Sequence, residues 1–262
     1  MIGVGNLSHH LADSFYSLKG VHLLQVFNHR NTKEAKQFSK KFGCSLATNY
    51  ADINTQADIY ILAVKDDAIA EVAKNLTSLK LNGIIAHTSG STDVSVLKRS
   101  SKYIGVYYPL QTFYKDAFIE WSSTPILIEG NTIQSENKLK QLAKFVSKKV
   151  KLVDSKKRLQ IHLAAVFACN FTNAMYVAAF QIIENSLSKN DTDLLLPLMT
   201  HSFHKLESVH PKDAQTGPAK RHDELVMKKH LQLIKSNQQL TQVYKILSDL
   251  IVSQQKLNDG KF

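Results

Sequence analysis

Two groups of residues have the types and spacing for chemistry. At the amino end, Gly3-Val4-Gly5-Asn6-Leu7-Ser8 runs straight into the helical stretch His9 to Leu18. Gly3 permits a sharp bend, Gly5 lets the backbone approach a pyrophosphate, and the amides that open the helix at Asn6, Leu7 and Ser8 face the negative charge. Ser8 stands in the third position of G-x-G-x-x-G, where a hydroxymethyl group still allows close helix packing. The plain alternative is an ordinary glycine turn. Further along, His162, Val166, Asn170 and Asn173 follow one another at spacings of four, four and three. On an ideal helix its three polar members lie within about 80° of one another. An imidazole and two amides on one face of an otherwise apolar helix either build an inter-helix network or face a ligand. Facing a ligand, His162 is suited to protonate a reduced carbonyl or imine, with Asn170 and Asn173 orienting it.

Other polar groups belong to the same picture. Asn28-His29-Arg30-Asn31-Thr32 follows the second apolar run, where an acid would usually meet the adenosine ribose. A guanidinium stands there instead, so Arg30, helped by Asn28, Asn31 or Thr32, points to a 2'-phosphate and hence to NADP rather than NAD. Ala63-Val64-Lys65 and His87-Thr88-Ser89-Gly90 end two further apolar runs. Ligands of open α/β sheets bind beyond strand carboxyl ends, so Ala63, Val64 and Lys65 are expected along the cofactor, with Ser89 and Gly90 near the nicotinamide or substrate. His87, at a strand end, reads as a hydrogen-bonded structural residue or as a proton donor, and is counted among the cofactor contacts. Gln111 and Thr112 are candidate substrate contacts, and Arg221 a candidate anion clamp. Turn and capping roles compete with both.

Elements must position these groups. Between residues 20 and 153, β-rich runs (22–28, 58–64, 83–88, 103–107, 125–129, 150–153) alternate with helical ones (32–42, 67–79, 94–99, 135–147), as in a parallel sheet covered by helices. From Ser155 only helical stretches follow (155–187, 191–209, 223–235, 238–256), with Asp154 or Ser155 as the cap. The expected domains are 1–154 and 155–262. Only Met1 and Ile2 precede the glycine turn, where a strand normally has about 5 to 6 residues. This predicts either residues upstream of Met1 or a first strand that is nearly absent.

Composition narrows the class. Of 262 residues, 44% are hydrophobic and 21% charged, ordinary values for a globular protein. No run is read as the roughly 20 apolar residues that span a bilayer, so no membrane is expected. Cys44 and Cys169 lack metal-ligand spacing, which predicts reduced thiols in a cytoplasmic protein and no metal. The net charge of +11 gathers in the run Lys144, Lys148, Lys149, Lys151, Lys156, Lys157 and Arg158. With only Phe145 among them, a solvated face is the better reading than a nucleic-acid site.

The glycine turn, Ala63 to Asp67, His87 to Ser91, Tyr108 to Phe113, His162 to Asn173 and Thr216 to Asp223 together resemble a bacterial family. Its members join a Rossmann-like domain to a helical domain of unknown function, and the resemblance spans nearly the whole chain. It implies an α/β fold, a doubly wound Rossmann-like parallel sheet followed by an all-helical second domain. It also implies kinship with pyrroline-5-carboxylate reductase and the β-hydroxyacid dehydrogenases. In those enzymes the helical domain covers the nicotinamide and often forms the dimer, so a homodimer through that domain is implied here. The dehydrogenases carry a catalytic lysine on the corresponding helix, whereas this chain has His162. The expected activity is NADP-dependent hydride transfer to or from a carbonyl or imine of a small polar metabolite, with His162 as proton donor and Asn170, Asn173, Ser89 and Gln111 positioning the substrate. A regulatory or scaffold protein that binds NADP(H) without turnover is the alternative. It predicts a His162 stripe sealed inside helix packing rather than open beside Ser89.

Overall fold

A computed structural model of the chain describes residues 1–258. Two compact units divide it after Cys169. The first is built on one sheet, whose strands are β1 (Gln25–Phe27), β2 (Ser45–Ala47), β3 (Ile59–Leu62), β4 (Ile84–His87), β5 (Ile104–Pro109), β6 (Ile126–Gly130) and β7 (Val150–Leu152). β1 pairs with β2, and β3 to β7 pair in sequence order. Ile2 joins the two groups by bridging Phe27 on one side and Leu62 on the other. The short stub before the glycine turn therefore occupies the central position of a first strand.

Side-chain alternation explains why helices cover both faces. Tyr60, Leu62 and Ile85 point to one side, where they meet Ile69, Val72 and Leu76 of α3 (Ile69–Leu76). Ile61, Ile84 and Ala86 point to the other, against Leu11 and Phe15 of α1 (Asn6–Tyr16) and Leu139 and Leu142 of α4 (Ile133–Val146). Strands buried on both faces, with successive side chains packed against opposite helical layers, are what a doubly wound sheet requires. Polar caps fix the helix starts: the Thr32 hydroxyl accepts from the Ala35 amide at α2 (Lys33–Phe42), and Thr132 and Ser135 form a reciprocal capping box at α4.

The sheet is not wholly parallel. β6 runs antiparallel to β5, pairing Pro109 with Ile126 and Gly105 with Gly130. Residues 110–125 contain no helix that could carry the chain back across the sheet, so the strand returns beside its predecessor. β7 is parallel to β6 and so also runs opposite to β5. The chain then enters α5 (Ser155–Ala165), capped by the Asp154 carboxylate, which accepts from the Lys157 amide. β2, too short and polar to stand out from its flanks, is a strand that periodicity does not reveal.

The helix does not stop at Ala165. A π-helical stretch, Val166–Phe171, leads into α6 (Thr172–Ser186). The wider π turn breaks the uniform 100° step on which the His162–Asn173 stripe was constructed. Together these segments, Ser155–Ser186, make 32 residues long and apolar enough by length and composition to cross a membrane. That corrects the expectation that no stretch reaches this length: scattered Asn, Gln and Thr residues hide the run from inspection. The division between units falls within this helix rather than at its start, because Ser155 and Arg158 are bonded to the sheet. From Asn170 the described elements are helical: α6, a 3-10 stretch Lys189–Leu195, α7 (Leu196–Lys205), α8 (Pro211–Ala214), α9 (Glu224–Leu233) and α10 (Gln238–Asn258).

Candidate functional site

The glycine turn has the geometry of a phosphate cradle. Gly3 sits at φ +101°, and a Cβ there would lie 2.6 Å from the Ala63 carbonyl oxygen. Only glycine suits both the backbone angle and this contact with the end of β3. A Cβ on Gly5 would meet nothing within 4 Å, so the turn opens to free space. Gly5 caps α1 without a side chain, and the first helical bond runs from the His9 amide to the Gly5 carbonyl. The amides of Asn6, Leu7 and Ser8 precede that bond and have no intrahelical acceptor. The Ser8 hydroxyl is buried without a partner. These residues fit a bound pyrophosphate. Beyond β1, the Asn28 side-chain amide donates to the Arg30 carbonyl at 2.6 Å, shaping the loop while the Arg30 side chain is exposed. Thr32 is occupied as the α2 cap, which leaves Asn31 as the exposed helper.

The tips of β3 and β4 interlock beside that turn. Ala63 is buried and Val64 half-buried, whereas Lys65 is exposed. One oxygen of Asp66 accepts from the Ser89 and Ser91 hydroxyls at 2.7 and 2.8 Å. His87, expected as a possible cofactor contact, is fully buried, and its Nδ1 accepts from the Ser89 amide at 3.2 Å. Burial, then the Arg158 charge, lowers its pKa to about 4. His87 is thus a neutral brace for the Ser89 turn near pH 7.

His162 meets this turn from α5. Its Nδ1 is 3.0 Å from the Tyr108 hydroxyl, with the two rings edge-on. Gly90 makes the meeting possible, since a Cβ there would fall 2.6 Å from His162 Nδ1 and 2.8 Å from Tyr108 Cζ. One turn earlier, Arg158 is 1% exposed, ion-paired to Glu129 of β6 and bonded to the Thr92 carbonyl and the Ser155 hydroxyl. Ser155 also donates to Glu129 at 2.8 Å and accepts from the Val94 amide at 3.0 Å. This corrects the reading of Arg158 as part of a solvated basic face. The lysines around it are exposed, but Arg158 points inward, where the half-buried Glu129 carboxylate pairs with it.

Tyr108, Asp66 and Glu129 were not singled out as site residues, although Tyr108 and Asp66 lie in segments marked by their polar character. Glu129 gave no signal, because only the strand reversal brings it under α5. Gln111 is exposed and accepts from the Thr112 amide beside it, with no bond to His162 or Ser89. Asn170 and Asn173 belong to the second unit, as does the exposed Arg221. A cavity of about 420 Å³ in the first unit lies at the opposite, amino ends of β1 and β3, lined by Leu24, Gln25, Ile59 and Tyr60. Among the described residues no cluster of His, Cys, Asp or Glu could hold a metal.

A doubly wound sheet with a glycine cradle at its strand tips, followed by a helical unit, defines the class of Rossmann-like NADP oxidoreductases. Residues 1–90 match the family model described as NADP oxidoreductase, coenzyme F420-dependent, and residues 124–251 match a domain of unknown function, DUF2520. The chain belongs to the family that joins these two domains. BF3122 of Bacteroides fragilis, described as a candidate NADP oxidoreductase, is 34% identical over 96% of each chain, with a TM-score of 0.88. An imine reductase from Myxococcus stipitatus in complex with NADP+ is 13% identical over 99% of this chain and 94% of its own (TM-score 0.63). A pyrroline-5-carboxylate reductase from Coxiella burnetii is 14% identical over 97% and 96% (TM-score 0.58). These last two share the fold. Comparison with curated proteins yields no match.

Proposed function

We propose that the protein is an NADP-dependent reductase or dehydrogenase acting on a carbonyl or imine of a small polar metabolite. The carrying observation is the half-buried His162, joined to Tyr108 and touching Gly90 at the strand tips. A purely structural or sensory histidine needs no such junction with the turn that borders the nucleotide cradle.

Bound NADPH supplies the hydride. The residues of the chain do the rest: the amides after Gly5 hold the pyrophosphate, Arg30 with Asn28 and Asn31 meets the 2'-phosphate, and Ser89 with the Gly90 backbone lines the substrate side. His162 gives a proton to the heteroatom of the reduced carbonyl or imine. Titration with NADP, NAD and their reduced forms tests the cofactor. Preference for NADP that falls at least tenfold in Arg30→Ala supports the reading; preference for NAD, or an Arg30→Ala variant with unchanged affinity, overturns it.

We further read the protein as a cytoplasmic homodimer. Leu163, Met175, Val177, Leu198 and Phe203 are exposed apolar side chains on successive helices, which supports coverage by a second copy. A monomer in sedimentation at micromolar concentration would remove that part.

A further inference from the structure

The Tyr108–His162 pair carries more than proximity. A neutral imidazole has one donor and one acceptor nitrogen, and only its surroundings decide which is which. Tyr108 lies at the end of β5, and its only hydrogen-bonding side-chain partner among the described residues is His162 Nδ1. Asp66 Oδ2 accepts from the Ser89 and Ser91 hydroxyls, and the Arg158 guanidinium has donors only and is directed to Glu129, Thr92 and Ser155. Among the described residues the acceptor bonded to the phenol is therefore the Nδ1 lone pair.

We infer that Tyr108 is the positioning residue of His162, holding the imidazole by Nδ1 so that proton exchange with substrate takes place at Nε2. This rests on the proposed reductase reading for the word substrate, but its geometry does not. A hydroxyl suits the task because it bonds both states of the ring. To neutral His162 the Tyr108 O–H donates; when His162 is an imidazolium, the hydroxyl rotates and its oxygen accepts from Nδ1–H. In the transfer itself the Nε2–H bond breaks and a bond from that hydrogen to the substrate heteroatom forms. The electron pair stays on Nε2, which leaves the ring first as its Nδ1–H tautomer; protonation at Nε2 and loss of the Nδ1 proton then restore the resting neutral form, to which the Tyr108 O–H donates.

The charged and titratable groups around the pair are Asp66 from the β3 tip, Arg158 from the same helix, and Tyr108 itself. Burial, followed by the Asp66 charge, raises the Tyr108 pKa, while Arg158 opposes this; the phenol stays protonated through the neutral range. His87, which braces the Ser89 turn, is neutral there. Gly90 completes the device, since any side chain at that position would enter the space where the two rings meet.

The experiment is two-bond 1H–15N NMR of the full-length, histidine-labelled protein, with the His162 signals identified by their loss in His162→Gln. In the neutral state the expected result is a proton on Nε2 and a pyridine-type Nδ1 displaced by an accepted hydrogen bond. That displacement should vanish in Tyr108→Phe, which keeps the ring and removes only the hydroxyl. A proton on Nδ1 in the neutral wild type, or an Nδ1 signal unmoved by Tyr108→Phe, overturns the inference. The wild-type spectrum decides even where the variant does not fold. Because the readout needs no turnover, a correct ring orientation without NADPH-dependent activity would sink the reductase reading alone.

Discussion

Arg158→Met should unfold the first unit far more easily than an ordinary surface change. The arginine is 1% exposed and its partner Glu129 is 15% exposed, so solvent screens neither charge. Removing the guanidinium leaves the Glu129 carboxylate with the Ser155 hydroxyl as its remaining bond, and strips the Thr92 carbonyl of its donor. Breaking a buried pair from one side costs about 3–5 kcal/mol. For a unit of this size, each kcal/mol moves the midpoint by roughly 2–4 °C, so the loss should be about 6–20 °C. Trp121, the sole tryptophan, lies in the first unit and reports its unfolding by fluorescence. The double change Arg158→Met with Glu129→Leu should recover most of the loss, since the uncompensated charge is then gone. A single variant within 1 kcal/mol of wild type in urea unfolding, or a double variant no better than the single, would refute the view that a desolvated ion pair is what anchors α5.

Two further outcomes follow from the same region. Gly90→Ala should cost about 1–3 kcal/mol by overpacking, and a crystal structure of the variant should show His162 and Tyr108 pushed apart; rings left in place would contradict the contact geometry. His87 titrates at about 4 in the folded protein against a usual 6.5. Its unfolded form binds the proton first, so its contribution is complete above about pH 6.5 and is lost as pH falls toward 4. That window is worth about 3 kcal/mol, and His87→Gln should flatten the acid limb of stability between those pH values. An unchanged acid limb would show that His87 is not held neutral.

Most of the first unit was legible because its signals are local. Continuous apolar strands such as Ile59–Leu62, caps such as Thr32 and Asp154, and the glycines at 3 and 5 announce themselves within a few residues of chain. β2 escaped because the three residues Ser45–Ala47 are too few to leave a period to read. The polar network escaped for another reason. Nothing near Arg158 in sequence distinguishes it from Lys156 and Lys157, and only tertiary structure brings Glu129 and Thr92 to it. His162 was found from its place on an apolar helix, yet its partner Tyr108 comes from a strand 54 positions away. The stripe through Asn173 assumes a uniform pitch, whereas the helix widens at Val166.

The reversal of β6 has a consequence for how such a site can arise. β6 and β7 descend toward the amino end of β5, so α5 leaves β7 low on the sheet and climbs. Its side chains meet first Glu129, level with Val106, and then Tyr108 near the top. The chain thus obeys a parity rule: one inversion of strand direction ahead of the helix sends it up past the nucleotide turn. A helix leaving an upward strand would start at that rim and travel away from it. A single hairpin decides whether the helix can lend a side chain to the chemistry at all.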